Sequence, residues 1–362
     1  MTIKYTKAFR DPQIARGLVK QIESTATPMR LMEVCGTHTV AIFRSGIRSV
    51  LPPALSLLSG PGCPVCVTAQ GEIDAFIELA RVEDMIVTTY GDLMRVPGSA
   101  STLQNERAEG RDVRIVYSTF DALKIAQENP ERKVVFLGVG FETTAPTIAA
   151  SVVSASQMGL KNYSVYCAHK TVPIALAALL ENPDVRVDGF ILPGHVSVII
   201  GLNAYRPLFD QYKIPCAVAG FEPADILQAV AHLVKQIEAG EPQLFNAYTR
   251  AVSDEGNRKA QALLDQVFEP VDAVWRGLGT ITGSGLGLRE QWVDYNAQTV
   301  FNINPSQIEE PKGCMCGDVL TGIKIPPECA LYKKVCTPAD PVGPCMVSSE
   351  GTCAAYYRFH NP

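Results

Sequence analysis

No stretch of this 362-residue chain approaches the ~18 uninterrupted apolar residues of a membrane-spanning helix. Residues 1–11 hold no apolar core of the kind a secretion signal needs, so a cytoplasmic protein with no membrane partner is expected. A surplus of either charge is also missing. The 32 Lys and Arg face 37 Asp and Glu, a net charge of -5, which excludes the basic footprint of a nucleic-acid binder. There is no Walker P-loop, no Rossmann fingerprint in context and no nucleophile elbow, and Gly138-x-Gly140 reads as a strand-end turn. Internal repeats and low-complexity runs are absent. Of the two tryptophans, Trp275 and Trp292, both read as packing anchors, and His232 and His360 read as ordinary core or solvated side chains.

What is abundant is cysteine. Eleven are present, in a chain long enough to build a core without covalent staples. Cys35, Cys63 and Cys66 lie early, Cys167 and Cys216 stand alone, and six fall between 314 and 353. With no mark of export, a disulfide framework is a poor default, and clustered cytosolic cysteines point to metal or redox work. Cys167 and Cys216 read as small buried hydrophobes.

The middle of the chain alternates strand and helix patterns. Strands are expected at 31–34, 85–89, 113–117, 134–139, 164–167, 189–192 and 216–219, and helices at 72–82, 120–128, 144–157, 173–181 and 223–239. Such alternation gives an α/β fold with parallel sheets. We expect two small doubly wound parallel-sheet domains facing a cleft, plus a mainly helical and loop domain. The boundaries are drawn at 29–118 for domain I and 119–222 for domain II, with 1–28 and 223–362 forming the cysteine-rich domain. Residues 240–300 read as helix and loop with Gly-rich turns.

Polar motifs follow the expected strands directly. They are Glu33-Val34-Cys35-Gly36-Thr37-His38-Thr39, Gly140-Phe141-Glu142-Thr143-Thr144, His169-Lys170, Pro193-Gly194-His195 and Gly220-Phe221-Glu222-Pro223. Ligands of open α/β sheets sit beyond the carboxyl ends of strands, so these motifs are expected around one shared cleft. Cys35 and His38 have metal-ligand spacing, a weak signal alone. Cys63 and Cys66 form a C-x-x-C in a Gly/Pro loop. They could make a disulfide, exchange it at a lowered thiol pKa, or share a zinc with Cys35 and His38.

The tail places Cys314, Cys316, Cys329, Cys336, Cys345 and Cys353 among Pro326, Pro327, Pro338, Pro341 and Pro344. Proline favours wrapped loops over helix. Six thiols exceed the needs of one zinc; four could hold a cubane iron–sulfur cluster and leave two for a nearby disulfide.

These segments together, with Gly60-Pro61-Gly62-Cys63-Pro64-Val65-Cys66 and the tail run Gly343-Pro344-Cys345 to Tyr357, resemble the HypD-type maturation factors of NiFe hydrogenases over nearly the whole chain. The resemblance implies a scaffold on which the Fe(CN)2CO unit of the hydrogenase is built before transfer to the hydrogenase large subunit. It implies a HypC-type small chaperone and a HypE-type cyanide donor as partners, and a 4Fe-4S cluster in the tail. Cys35 would hold the transient iron, shared with a chaperone cysteine, with His38 beside it and Cys63 and Cys66 as the redox pair. Four of the six tail cysteines would bind the cluster, Cys329 and Cys336 among them. Glu142, His169, His195 and Glu222 would support the cleft. Thr37, Thr39 or backbone N–H groups could donate to cyanide nitrogen. Such a scaffold has redox activity without conventional turnover. The alternative readings are an iron–sulfur-dependent dithiol–disulfide reductase and a binding module with structural zinc.

Overall fold

The computed structural model describes residues 8–306, 308 and 310–360; the stretch 1–7, part of the segment without a signal core, lies outside them. The strands are β1 (Met29–Glu33), β2 (Leu55–Ser59), β3 (Met85–Thr89), β4 (Asp112–Ile115), β5 (Lys133–Gly138), β6 (Tyr163–Cys167), β7 (Gly189–Pro193), β8 (Cys216–Ala219), β9 (Leu244–Asn246), β10 (Phe268–Trp275) and β11 (Gly279–Leu288). One parallel sheet has the order β2-β1-β7-β8-β9 and a second the order β4-β3-β5-β6. The α/β class with two parallel sheets and a helical and loop region is therefore as expected.

Why these segments are strands is plain from their burial. β3, β7 and β8 are buried along their whole length, as parallel strands covered on both faces require. The helices that cover them carry clear punctuation. Pro223–Ala239 starts with Pro in its first turn and ends at Gly240, whose φ of +64° is the left-handed cap that glycine adopts without strain. Among the described residues, no helix is long and apolar enough to cross a membrane.

The order of the strands departs from the expected division at 118/119. That cut falls inside the second sheet, between β4 and β5. The chain leaves the first sheet after β2, builds the entire second sheet, and returns at β7. The 240–300 segment also departs from the helix-and-loop reading, for β10 and β11 pair there as an antiparallel hairpin. Pro270 and the glycines of β11 weaken its strand signal, because neither residue type favours a strand interior. Trp275 ends β10 as a buried anchor. Its ring stacks on Phe141 at 5.9 Å and its indole N–H donates to Ser284 at 2.8 Å. Trp292 is half-buried and donates to the Gln266 carbonyl.

The tail is short helix and loop, as its composition demands. Thr352–Phe359 packs on the helix Gly36–Arg44, with Phe43 edge-on to Tyr356 at 4.8 Å, and Pro344–Val347 packs on the C-x-x-C helix Pro64–Val67. This docking brings the two ends of the cysteine pattern together.

Candidate functional site

The site grows from the carboxyl end of β1. Cys35 caps the helix Gly36–Arg44 and is 7% exposed. Burial pushes its thiol up to about 12, while the backbone N–H groups of His38 and Thr37 act in the opposite direction. The thiol is thus neutral at pH 7 until a metal displaces its proton. The Cys35 N–H donates to Glu33 Oε2 at 3.2 Å, and the Thr39 hydroxyl donates to Glu33 Oε1 at 2.5 Å. Burial pushes the Glu33 carboxyl up to about 7.

His38 is fully buried. Its Nε2 lies 2.9 Å from the Gly220 carbonyl. A carbonyl only accepts, so Nε2 carries the proton and Nδ1 is a bare lone pair with no hydrogen-bond partner. Burial lowers the ring to about 4, so it is neutral at pH 7. Phe221 stacks between His38, at 4.6 Å, and the exposed His195, at 3.9 Å. Glu222 binds Arg10 through both carboxylate oxygens at 2.7 Å. The Thr37 hydroxyl donates to Glu350 at 2.6 Å. Both threonine hydroxyl protons are therefore committed to carboxylates, which leaves backbone N–H groups as donors for a ligand.

The C-x-x-C loop lies against the same strand end. Gly60 N–H donates to the Glu33 carbonyl at 2.8 Å and Gly36 N–H to the Gly62 carbonyl at 3.0 Å. Cys63 caps Pro64–Val67, its sulfur accepting from Cys66 N–H at 3.3 Å. Cys66 is 0% exposed, and its thiol is pushed well up, first by burial. It neighbours Cys345, which also neighbours Cys353 and lies 3.0 Å from the Cys316 sulfur; Cys316 in turn neighbours Cys314. All six tail cysteines line one small pocket with Leu331, Tyr332 and Met346. Among the described residues, no three His, Cys, Asp or Glu side chains are arranged to hold a single metal ion. The Cys35, His38, Cys63 and Cys66 set is thus no zinc tetrahedron. A cubane is a different case, because each thiolate binds a separate iron at a separate corner.

One shared cleft was expected, and the structure divides it. Cys35, His38, Thr39, Phe221 and His195 come together at the ends of β1, β7 and β8. His169 instead lines a separate cavity of about 720 Å3 beneath the hairpin, with Cys167, Gln70 and Glu72. The reason is topological: His169 follows β6, at the carboxyl end of the other sheet. Cys167 is also more than a bland thiol, with its sulfur 3.1 Å from His169 Nδ1 and 2.8 Å from the Leu286 carbonyl. Cys216 is buried in β8 as expected. Glu33 belongs to the strand-end motif read from the sequence but was given no role there, and Glu350 was missed as a site residue. The position of Glu33 at a strand end two residues before Cys35 was an available signal, whereas nothing local marks Glu350.

Glu142 accepts from the Val172 N–H at 2.9 Å, and its second oxygen is buried without a partner. Burial pushes this carboxyl from about 4.5 up to about 7. The folded state holds the proton more tightly than the unfolded chain, so stability falls as pH rises through that window. Glu142→Gln should abolish this contribution. Wild type should lose stability relative to the variant between about pH 4.5 and 7. Urea midpoints at several pH values test this; a difference that does not change with pH would refute the assignment.

The family profile described as "HypD: Hydrogenase formation hypA family" matches residues 13–360. The chain is 48% identical to the hydrogenase expression/formation protein HupD of Azotobacter chroococcum, over 99% of this chain and 97% of that one. It is 47% identical to the hydrogenase maturation factor HypD of Azotobacter vinelandii, with the same coverage. Identity to the HypD of Rhodobacter capsulatus is 44%, over 99% and 98% of the two chains. With matches of this extent, the chain belongs to the HypD family of hydrogenase maturation factors.

Proposed function

We propose that this protein is a cytoplasmic scaffold on which the Fe(CN)2CO unit is assembled before transfer to the hydrogenase large subunit. The iron is cargo, held by the Cys35 thiolate and by a cysteine of a HypC-type chaperone, and a HypE-type partner delivers cyanide. Low-spin iron carrying cyanide and carbonyl is soft, and thiolate suits it. His38, neutral with a bare Nδ1, and the backbone N–H groups at the start of Gly36–Arg44 supply the polar surroundings.

The observation that carries this reading is the unbroken line of thiols from the C-x-x-C beside Cys35 to the tail pocket. Cys316 and Cys345, 3.0 Å apart, are too close to hold separate corners of a cubane. They form a second dithiol, and Cys314, Cys329, Cys336 and Cys353 remain as the four cluster thiolates. When bound, a 4Fe-4S cluster supplies one-electron transfer. The dithiols can exchange directly. The Cys66 thiolate attacks Cys345 of a Cys316–Cys345 disulfide and Cys63 then displaces Cys345. The products are a Cys63–Cys66 disulfide and two thiols, with electrons and protons balanced. The burial of Cys63 and Cys66 favours such internal exchange over reduction of an external disulfide, the reductase reading.

Anaerobically purified protein should contain about four irons and about four acid-labile sulfides per chain. Cys314→Ala should lose both and Cys316→Ala should keep both. Zinc without sulfide, or loss of iron on Cys316→Ala alone, would overturn the assignment.

A further inference from the structure

Tyr248 belongs to none of the motifs above, yet it carries the turn that holds His38. It lies two residues after β9, and its N–H donates to the Asn246 side-chain carbonyl at 2.9 Å. Its ring stands in a slot between two glycines. A Cβ built at Gly220 would lie 2.7 Å from both Cδ2 and Cε2 of Tyr248, and one built at Gly194 would lie 3.0 Å from Cδ1 and 3.2 Å from Cε1. Each edge of the ring is thus pressed against one glycine. Gly220 is the residue whose carbonyl accepts from His38 Nε2, and Gly194 directly precedes His195. Phe221, stacked between the two imidazoles, meets Tyr248 edge-on at 6.3 Å.

The ring is itself clamped. The Arg250 guanidinium lies 4.6 Å from the centre of the Tyr248 ring and 3.6 Å from that of Phe9, a favourable placing of a cation on aromatic faces. Asp225, fully buried, fixes it there: Oδ1 accepts from Nη1 at 2.6 Å and Oδ2 accepts from Nη2. Such a two-point bond sets the plane of the guanidinium. Asp225 Oδ2 also accepts from the Glu222 N–H at 3.1 Å. The turn 220–222 is therefore gripped twice, by Tyr248 at Gly220 and by Asp225 at Glu222. What the grip controls is an imidazole three residues from Cys35 at the start of the same helix, a spacing that makes neighbours. With the Gly220 carbonyl in place, Nε2 keeps the proton and Nδ1 keeps its lone pair. If that carbonyl withdraws, neither nitrogen has a fixed partner and both tautomers become available.

We propose that Tyr248, clamped by Arg250, is a positioning residue of the cargo site: it holds the Gly220 carbonyl against His38 and so keeps the Nδ1 lone pair free beside Cys35. Tyr248 touches no cargo and acts through the turn and the imidazole. The flat ring fills the slot between the glycines, so the ring and not the hydroxyl is the working part. The effect on cargo rests on the reading of Cys35 as the cargo thiol, whereas the placing of His38 does not, and the experiment separates the two.

Full-length protein without cargo is labelled with nitrogen-15, and its imidazole nitrogens are recorded at pH 7. The chain has five histidines, and His38→Gln identifies the His38 signals. Wild type should show His38 as one tautomer, with Nε2 protonated and Nδ1 bare. Tyr248→Leu should draw the two nitrogen shifts together as the tautomers mix. Tyr248→Phe keeps the ring and should restore the wild-type pair. Arg250→Lys keeps a charge for Asp225 but loses the plane over the ring, and should give a smaller shift in the same direction. That variant keeps the test in force if Tyr248→Leu fails to fold. In protein made together with its maturation partners, the infrared bands of iron-bound cyanide should shift in Tyr248→Leu and return in Tyr248→Phe, with the tail iron and sulfide unchanged. Wild-type nitrogen shifts in Tyr248→Leu or Arg250→Lys, failure of Tyr248→Phe to restore them, or cyanide bands that stay while the nitrogens move would overturn the inference. A wild-type protein that carries no cyanide-bearing iron would overturn the scaffold reading, and the nitrogen shifts would still decide the placing of His38.

Discussion

Cys35→Ala should give a protein that folds, keeps the iron and sulfide of its tail pocket, and carries no cyanide-bearing iron. The expected loss is large because Cys35 is the soft donor at the start of Gly36–Arg44, whereas the Cys63 sulfur is engaged by the Cys66 N–H and His38 is fixed by its bond to the Gly220 carbonyl. Stability should suffer little. Cys35 is a small buried side chain, and removing its sulfur leaves a cavity costing on the order of 1 kcal/mol. The two effects separate because Cys35 belongs to Gly36–Arg44, whereas Cys314, Cys329, Cys336 and Cys353 line the tail pocket. Cys35→Ser should also fail, since a hydroxyl is a hard and weakly acidic donor. The measurements are total iron, acid-labile sulfide and infrared bands of iron-bound cyanide in protein made together with its maturation partners. Retention of those bands on Cys35→Ala would remove Cys35 from its role, and loss of the tail iron as well would show the two centres to be one.

The sequence carried the site's parts more clearly than their arrangement. Buried parallel strands announce themselves as short apolar runs, and the expected 85–89 and 216–219 coincide with β3 and β8. β2 was missed because Ser56 and Ser59 interrupt its apolar run, and the hairpin because Pro270 and the glycines of β11 mask its strand character. The motif positions were legible for a local reason: each polar group follows its own strand. Which sheet each strand joins depends on pairings between distant segments, such as β1 with β7, and no local pattern encodes that. His169 was therefore placed in the wrong cleft. The contact of Cys66 with Cys345 is also non-local, depending on the packing of Pro344–Val347 against Pro64–Val67. Spacing left two of the six tail thiols surplus to the expected cluster, and the approach of Cys316 to Cys345 at 3.0 Å is a packing feature that spacing does not encode.

Gly62→Ala should be among the most damaging single substitutions in the chain, although it removes no reactive atom. A Cβ at Gly62 would lie 2.1 Å from the Cys35 nitrogen and 2.3 Å from the Val34 carbonyl carbon. Both are backbone atoms, so no rotamer change relieves the clash and the two segments must part by more than 1 Å to reach ordinary contact near 3.4 Å. The parting is resisted on both sides, by Gly36 N–H on the Gly62 carbonyl and by Gly60 N–H on the Glu33 carbonyl. Overpacking of this kind costs about 1–3 kcal/mol and occasionally more. The functional loss should exceed the loss of stability, because the displacement falls between Cys35 and the C-x-x-C, and a 1 Å misplacement at a reacting centre can cost ~100-fold. Gly17→Ala is the matched control. It lies exposed in the helix Pro12–Glu23 with nothing within 4 Å of its Cβ, and should stabilise by roughly 0.5–1 kcal/mol. Urea midpoints and iron loading of the two variants, measured side by side, decide the matter: a Gly62→Ala protein with wild-type values for both would show that the β1 end and the C-x-x-C loop are free to separate, and that the close approach of Gly62 to Cys35 does not hold the thiol in place.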